Sequence, residues 1–414
     1  MLSLLSDNWR LVLSMVLALL IGWNIRVPVF KMAILKNFVD KPNKRSSHTG
    51  CVPNIGGIVV FLAFLCSFLL FVRFDSRPEF QYVLLGAILI FLVGIYDDLL
   101  EISPRKKVKG EMLGVLVLIV GGGFYLTNLH GFLSFYEISP WVGIPLTFVG
   151  LVGLINAINL IDGIDGLCSG MAMIDCIFFG IWFYYCGHIE YALMCGVLTA
   201  ALIPFFLINL FGKRSKMFMG DSGALMVGFL LGVMAIRFCE TDINLKGICA
   251  VEAAPGVVFS VLAIPVIDTL RLFASRWMRG KSPFAPDKRH LHHKLLTIYN
   301  GVHKKATFTI LGLNLLFMAF AYIGRDWRNE ILVGGDIVLF AVMFYIVDRL
   351  ANPDVLGNRS RTKGKRNKRL QRIGIRPEMI PGFLVFIYKK RDHERYNISR
   401  RVRNTFVSYY QGGF

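Results

Sequence analysis

Apolar residues along the chain fall into eleven runs of roughly 15–21 residues, separated by short polar stretches. A helix of this length spans the hydrocarbon core of a lipid bilayer. The pattern therefore predicts an all-α, polytopic integral membrane protein with about eleven transmembrane helices. The predicted spans lie near residues 9–29, 54–73, 81–96, 112–129, 140–160, 170–186, 190–210, 222–239, 256–273, 306–323 and 331–348.

The composition agrees with this class and predicts an orientation. Of the 414 residues, 55% are hydrophobic and 18% are charged, and the formal net charge is +19. With the N-terminus outside, the short inner loops hold 21 Lys and Arg residues and the outer loops hold six. Because cytoplasmic loops of membrane proteins carry the excess of Lys and Arg, we expect the N-terminus outside and the C-terminus inside.

A change in composition near residue 350 predicts two domains. Residues 1–350 form the predicted membrane domain, and residues 351–414 form a basic cytoplasmic tail, whose most basic stretch is Arg359–Arg376. Since the tail begins where the last span ends, attraction to anionic lipid headgroups explains its charge better than nucleic-acid binding does. The lipid bilayer is therefore an expected partner, and nucleic acid is not.

The eight cysteines are scattered and include no Cys-X-X-Cys pair, so neither a zinc site nor a disulfide framework is indicated. Buried apolar thiols are the ordinary interpretation. Cys239 and Cys249 flank a predicted outer loop and could pair if that face is oxidising.

Amide and carboxylate side chains recur at three-residue intervals where the fifth predicted span ends. Asn156, Asn159 and Asp162 share one face if this segment is helical, and Asp165 continues the spacing. Ionisable groups at membrane depth usually mark a functional site. The run therefore predicts an oxygen-rich site at one end of the helix bundle.

The other unusual polar clusters all fall in predicted cytoplasmic loops. These are Asp40–Arg45 with His48, Asp97 and Asp98 with Arg105–Lys109, Phe218–Gly223, and Ser282–His293. A transport pathway would instead place ionisable groups toward the bilayer midplane, whereas the predicted span interiors are almost purely apolar. Convergence on one face favours an active site and leaves a polytopic transporter as a remote alternative.

The residue types in these loops favour phosphoryl transfer. Carboxylate and amide oxygens without soft ligands suit a hard cation, Mg²⁺ or, with the same ligands, Mn²⁺. Nearby Lys, Arg and His side chains match the charge and geometry of phosphate groups. A metal ion and cations together stabilise in-line displacement at a diphosphate. The chain has no Gly-X-X-X-X-Gly-Lys-Ser/Thr sequence, so a P-loop ATPase is not indicated.

Taken together, the motifs resemble those of the polyprenyl-phosphate N-acetylhexosamine-1-phosphate transferases. The family's Asp-Asp pair, Asn-Ala-X-Asn-X-X-Asp-Gly-X-Asp-Gly-Leu run, Phe-Met-Gly-Asp-X-Gly loop and His-X-His-His loop occur here in this order, between about Asp40 and His293. The spacing of His290, His292 and His293 looks like the bacterial branch that makes undecaprenyl-diphospho-GlcNAc. The peptidoglycan branch resembles this chain less, because its uninterrupted triple histidine and DDxxK pair are both missing.

The resemblance implies roles for sixteen residues. Asp221 and Asn159 are the implied metal ligands. Residues implied to bind the substrates are Lys107 for the diphosphate, Asp165 and Phe218 for the uracil, and Asn156, Asn209, Arg289, Lys41 and His48. Residues implied in catalysis are Asp97, Asp98, Asp162, His290, His292 and His293.

The resemblance also implies an activity and a location. N-acetylhexosamine-1-phosphate, most closely GlcNAc-1-phosphate, would pass from a UDP-sugar to undecaprenyl phosphate with release of UMP. The reaction would start O-antigen, common-antigen or teichoic-acid assembly at the bacterial cytoplasmic membrane. UDP-GalNAc, UDP-QuiNAc and UDP-FucNAc stay open as donors, and a homodimer stays open as the oligomeric state.

Asp98 belongs to the pair that is implied to activate the lipid phosphate. A phosphate monoester has a second pKa of about 6, so this phosphate is already mostly dianionic at neutral pH and hardly needs a base. We therefore expect Asp98 to orient groups and expect a single in-line attack. A covalent aspartyl-phosphate intermediate stays open.

Overall fold

A computed structural model describes residues 6–36, 39–40, 52–212, 215–241, 249–280 and 289–352. The chain divides into one unit over residues 1–348 and another over residues 349–414, of which only 349–352 are described. Apart from residues 351–352, the predicted basic tail therefore lies outside the described residues.

The described chain is mainly helical. The helices are α1 Asp7–Leu35, α2 Gly56–Phe71, α3 Phe80–Leu100, α4 Pro104–Gly122, α5 Pro140–Ile161, α6 Leu167–Tyr185, α7 Ile189–Phe211, α8 Gly220–Thr241, α9 Ala254–Val261, α10 Ala263–Trp277, α11 Leu291–Ile298, α12 His303–Ile323 and α13 Asn329–Ala351. Two small antiparallel sheets pair β1 Val39–Asp40 with β2 Val52–Pro53, and β3 Asn128–Phe132 with β4 Phe135–Glu137.

Every predicted span coincides with a helix or with the pair α9 and α10. Among the described residues, eight helices are long and apolar enough to cross a membrane, and the count reaches nine if the pair is one span. Helix α2 has only 16 residues, and α4 begins with charged residues. A polytopic membrane protein is thus confirmed, whereas eleven spans and the N-out orientation stay predictions.

Helix α4 begins at Pro104, eight residues before the predicted span starts. Its first turns are the basic stretch Arg105–Lys109, which hydropathy assigned to a loop. Proline is favoured in the first turn of a helix, where its missing N–H has no intrahelical acceptor. Lys107 therefore lies on a helix.

The ninth predicted span is broken. Helices α9 and α10 meet at an angle of 80° around Leu262. Pro265 is the third residue of α10, and it cannot donate the hydrogen bond that would continue α9. Beyond the break, α10 carries polar residues toward the same end of the bundle as the other motifs.

Helix α8 is the central helix, and 94% of its most apolar 18-residue segment is buried. It packs against α2, α3 and α5. A Cβ added to Gly57 of α2 would overlap the backbone nitrogen of Gly223 and lie 2.6 Å from its Cα. The two glycines thus let the backbones of α2 and α8 approach closely, as small residues do in membrane bundles.

The helix interiors are less apolar than the sequence suggested. The fully buried Asp175 of α6 accepts a hydrogen bond from Asn314 of α12 at 2.9 Å, and the fully buried Asp336 of α13 accepts one from Ser260 at 2.5 Å. Polar pairs of this kind hold membrane helices together, which explains how these carboxyl groups are tolerated. The expectation of almost purely apolar span interiors, which disfavoured a transporter, is therefore wrong.

The suggested pairing of Cys239 with Cys249 is also wrong. Cys249 forms a disulfide with Cys186, which follows the last residue of α6. Cys239 is buried near the end of α8 and is not in a disulfide. The bridge connects two elements at the end of the bundle opposite the polar motifs.

Candidate active site

A cavity of about 450 Å³ lies where one end of α3, α4, α5 and α10 meets α11. Eight of the sixteen residues predicted from the sequence line it. The full lining is Asp97, Ile102, Pro104, Lys107, Val108, Asn156, Asn159, Leu160, Asp162, Gly163, Phe273, Arg276, His290, His292 and His293.

Lys107 connects four elements beside this cavity. Its Nζ lies 3.1 Å from Asp97 Oδ2 and also contacts Asp221 Oδ2. With the Asn159 amide oriented to suit both neighbours, its oxygen lies 2.9 Å from Lys107 Nζ and its nitrogen 3.0 Å from Asp221 Oδ1. Burial lowers the pKa of Lys107, but Asp221 and Asp97 raise it by more, so the lysine stays protonated.

Asp98 caps the N-terminus of α8. Its Oδ1 accepts hydrogen bonds from the backbone N–H of Asp221 at 2.8 Å and from Asn54 at 3.0 Å, and its Oδ2 accepts one from Ser222 N–H at 3.0 Å. Gly220, at φ +73°, turns the chain so that these N–H groups face the carboxylate. A carboxylate at a helix N-terminus satisfies orphan donors and the helix dipole, which together stabilise by about 1–2 kcal/mol. Asp98 therefore holds the Asp221 loop and is absent from the described cavity lining.

Asn156 and Asp162 lie at the cavity end of α5. The Asn156 side-chain nitrogen donates to Glu111 Oε2 at 2.5 Å and to Val152 O at 2.9 Å, which leaves its oxygen for the cavity. Asp162 follows the last residue of α5. Burial and the neighbouring charges of Asp221, Asp98 and Asp165 raise its pKa well above the ordinary value. Asp162 therefore holds a proton more readily than an exposed aspartate does.

The three histidines form one cluster. The His290 and His292 rings are stacked with centroids 5.4 Å apart, and the His292 and His293 rings are tilted with centroids 4.3 Å apart. His290 Nδ1 lies 2.9 Å from Asp268 Oδ2, and Asp268 also pairs with Arg271 at 2.7 Å. A carboxylate at Nδ1 selects the Nδ1–H tautomer and leaves Nε2 as the other reactive nitrogen.

His292 is buried against Gly163. A Cβ added to Gly163 would overlap His292 Nε2 and lie 3.1 Å from both flanking ring carbons. Burial, together with His293 and His290, lowers the pKa of His292 well below the ordinary value, so its imidazole is neutral at pH 7. Gly163, in the run of amide and carboxylate residues that ends α5, and His292, in the His-X-His-His loop, therefore fit each other sterically.

Two residues of the cavity wall, one cationic and one aromatic, were not predicted from the sequence. Arg276 is 4% exposed and lines the cavity with Phe273, both from α10. Asp268 and Arg271, which hold His290, come from the same helix. These residues are spaced along α10 as the polar residues of an ordinary amphipathic helix are. Only the three-dimensional arrangement distinguishes them from surface residues.

Asp165 lies in a separate group of charges. Its Oδ2 pairs with Lys216 Nζ at 2.6 Å and with His303 Nδ1 at 3.0 Å. Burial raises the pKa of Asp165, but His303 and Lys216 lower it by more, so the carboxylate is ionised. The Lys216 ammonium also lies 5.5 Å from the Phe218 ring centroid. Asp165 and Phe218, the two residues expected at the uracil, therefore share Lys216 as a neighbour.

Two further predicted residues, Asn209 and Arg289, are described and are absent from the cavity lining. Asn209 is buried; its side-chain oxygen accepts from Gly166 N–H, and its nitrogen donates to Met217 O at 2.7 Å. The Arg289 side chain contacts Ser275 Oγ at 3.4 Å. Lys41 and His48 lie outside the described residues.

The oxygen donors around Lys107 fit a magnesium ion that also binds phosphate. In the part of the chain that the structure describes, no three His, Cys, Asp or Glu side chains form a complete metal cage. Mg²⁺ usually takes one or two protein oxygens and completes its shell with water and substrate phosphates. Asp221 and Asn159 lie side by side and provide such a partial set.

Comparison with known proteins assigns the chain to a family. The family model described as glycosyl transferase family 4 matches residues 80–239. An undecaprenyl-phosphate alpha-N-acetylglucosaminyl 1-phosphate transferase of Yersinia pestis is 33% identical over 292 residues, which are 70% of this chain and 77% of that protein. The chain belongs to the polyprenyl-phosphate N-acetylhexosamine-1-phosphate transferase family.

Other relatives of this transferase carry the same name. The Haemophilus influenzae protein is 31% identical over 320 residues, covering 75% of this chain and 86% of its own length. The Escherichia coli (strain K12) protein is 28% identical over 320 residues, which are 76% of this chain and 84% of that protein. The segment matched by the family model contains Asp97, Lys107, Asn159 and Asp221, so the Lys107 cluster of this transferase lies within its family-defining region.

Proposed function

We propose that the chain transfers N-acetylhexosamine-1-phosphate, specifically GlcNAc-1-phosphate, from a UDP-sugar to undecaprenyl phosphate and releases UMP. The observation that carries this proposal is the Lys107 cluster. There a protonated lysine, two carboxylates and an amide meet at the N-terminus of a central helix and beside a polar cavity. The names of the relatives support the acceptor and the transferred group.

The reaction is an in-line displacement at the phosphorus that carries the sugar. A non-bridging oxygen of the lipid phosphate forms a bond to that phosphorus. The bond from the same phosphorus to the bridging oxygen breaks, and this oxygen leaves with UMP. Since the lipid phosphate is mostly dianionic at neutral pH, the attack needs no proton transfer to begin.

The cations of the site neutralise the diphosphate. Lys107 and the buried Arg276 face the cavity and supply fixed positive charge where negative charge develops. Mg²⁺ held by Asp221 and Asn159 would add Lewis-acid neutralisation of the phosphate oxygens. His290, fixed by Asp268, holds its imidazole toward the same cavity and, when Nε2 carries a proton, donates a hydrogen bond to a phosphate oxygen there.

The group of Asp165, Lys216 and Phe218 is assigned to the uridine. Asp165 supplies acceptor oxygens for the uracil N–H, and Phe218 supplies a stacking surface. The neutral His292 and Asp162, whose pKa is raised by burial, line the same cavity as Lys107. The sugar and the two phosphates would therefore occupy the cavity, with the nucleoside at its edge.

The test is UMP release by the purified full chain. Undecaprenyl phosphate, Mg²⁺ and a panel of UDP-GlcNAc, UDP-GalNAc, UDP-QuiNAc and UDP-FucNAc are supplied separately. We expect the highest kcat/KM with UDP-GlcNAc and no UMP without the lipid phosphate. Faster UMP release from another UDP-sugar would identify that sugar, and not GlcNAc, as the transferred group. A folded protein that releases no UMP from any donor would refute the proposed reaction.

We place the site on the cytoplasmic side of the bacterial cytoplasmic membrane. The loop-by-loop Lys and Arg count supports this orientation, and the Cys186–Cys249 bridge at the opposite end suits an oxidising compartment. A reporter fused after Phe414 should stay in the cytoplasm, and one inserted near Asn244 should be exported. The reverse locations would overturn the orientation.

A further inference from the structure

The arginines at the bundle end opposite the active site differ in their ionic partners. Arg10 pairs with Glu190 at 2.7 Å, Arg73 with Asp7 at 3.2 Å, Arg77 with Glu79 at 3.6 Å, Arg325 with Asp326 at 3.4 Å and Arg328 with Glu330 at 3.4 Å. Arg237 is the exception, because within the described ranges no carboxylate lies at ion-pair distance from it. A half-buried charge without a counter-ion is costly.

Arg237 shares an aromatic ring with a second arginine. Its guanidinium carbon lies 5.1 Å from the Tyr191 ring centroid, and that of Arg77 lies 5.9 Å from the same centroid. The Tyr191 hydroxyl donates to Glu79 at 3.1 Å. Two guanidinium groups therefore lie near one ring, and the carboxylate that contacts this group is Glu79, which leaves the group with one positive charge in excess.

His188 completes the group as a neutral donor. Arg77 Nη2 lies 3.4 Å from His188 Nδ1, so Nδ1 accepts and Nε2 carries the hydrogen. Burial and the charges of Arg237 and Arg77 lower the pKa of His188 to about 4, so the ring stays neutral. In the described part of the chain, His188 Nε2 and Arg237 Nε have no hydrogen-bond partner. Both are donors, and both need an acceptor.

We propose that Arg237, Arg77 and His188 form a binding site for a phosphate oxyanion at the end of the bundle opposite the active site. A phosphate group has only acceptor oxygens and a negative charge, which match two guanidinium groups and an imidazole N–H. Arg237 lies four residues before the end of α8, about 6 Å along the helix, a distance similar to the thickness of one headgroup layer. It lies about 24 Å along α8 from Asp221, so this phosphate is not the one in the active site.

The phosphate could belong to an anionic phospholipid or be inorganic, and two measurements distinguish these sources. Native mass spectrometry of the full chain compares retention of phosphatidylglycerol with that of phosphatidylcholine. Thermal unfolding in detergent compares sodium phosphate with sodium chloride at equal ionic strength. The variants are Arg237→Gln, Arg237→Lys and, as a matched control from the same face, Arg328→Gln.

For a lipid headgroup, wild type and Arg237→Lys should prefer phosphatidylglycerol, and Arg237→Gln should bind it about tenfold more weakly. Arg328→Gln should behave as wild type. For inorganic phosphate, phosphate should raise the unfolding temperature of wild type and not of Arg237→Gln. If Arg237→Gln does not fold, Arg77→Gln takes its place in both measurements, with the same expected losses. Equal phosphatidylglycerol preference in all variants, with no shift in phosphate, would overturn the site.

Discussion

The steric fit between Gly163 and His292 makes a sharp test of the active-site assignment. Alanine at residue 163 adds one methyl group, which overlaps His292 Nε2. Gly163 does not have a positive φ, so its backbone lies outside the left-handed region that favours glycine. The ring must move by on the order of 1 Å to restore van der Waals contact. No charge changes.

A displacement of this size at a reacting centre costs about a hundredfold in rate, and overpacking costs about 1–3 kcal/mol of stability. We therefore expect Gly163→Ala to fold and to release UMP about a hundredfold more slowly than wild type. The assay is steady-state UMP release, with the unfolding temperature measured in parallel.

Gly153 of α5 provides the matched control, because a Cβ there would meet nothing within 4 Å. Gly153→Ala should therefore keep wild-type activity. If Gly163→Ala releases UMP at a rate within twofold of wild type, then the position of the His292 ring does not matter for the reaction, and the cavity is not the reacting centre.

The remaining predictions concern carboxylates with different contacts. Asp221→Asn should lower UMP release by about a thousandfold or more, because it removes a metal ligand and the partner of Lys107; near-normal turnover at saturating Mg²⁺ would contradict this. Asp98→Asn should lose rate by a similar factor at every pH, whereas a defect that shrinks between about pH 6 and 8 would restore a general base. Asp268→Asn should lower kcat more than tenfold by disturbing the His290 tautomer, while the exposed-pair variant Asp348→Asn should not.

The apolar runs predicted the positions of the long helices because hydrophobic length is a strong signal, and every predicted run contains a helix. It failed where polar residues are helical, as at the start of α4, and where Pro265 divides a continuous apolar run. Hydropathy averages over a window and records neither a charged first turn nor a single missing N–H donor.

The residues of the candidate active site were predicted in part. Motif residues such as Lys107 and His290 do converge on one cavity, as expected from loops on one face. Their partners Asp268, Lys216 and His303 were missed, because each looks like an ordinary charged residue in its own segment. Contacts between residues far apart in sequence decide these roles, and a single sequence does not display such contacts.

The central position of α8 has a consequence for how the chain matures during synthesis. Asp98 is synthesised early, but the N–H groups that donate hydrogen bonds to it belong to Asp221 and Ser222, which follow it by 123 and 124 positions. Until α8 enters the membrane, α2, α3 and α5 lack the helix they share. His290 is translated later still. A chain interrupted before α8 therefore contains α1 to α7 but not the complete candidate site, and it exposes the helix faces that α8 would cover.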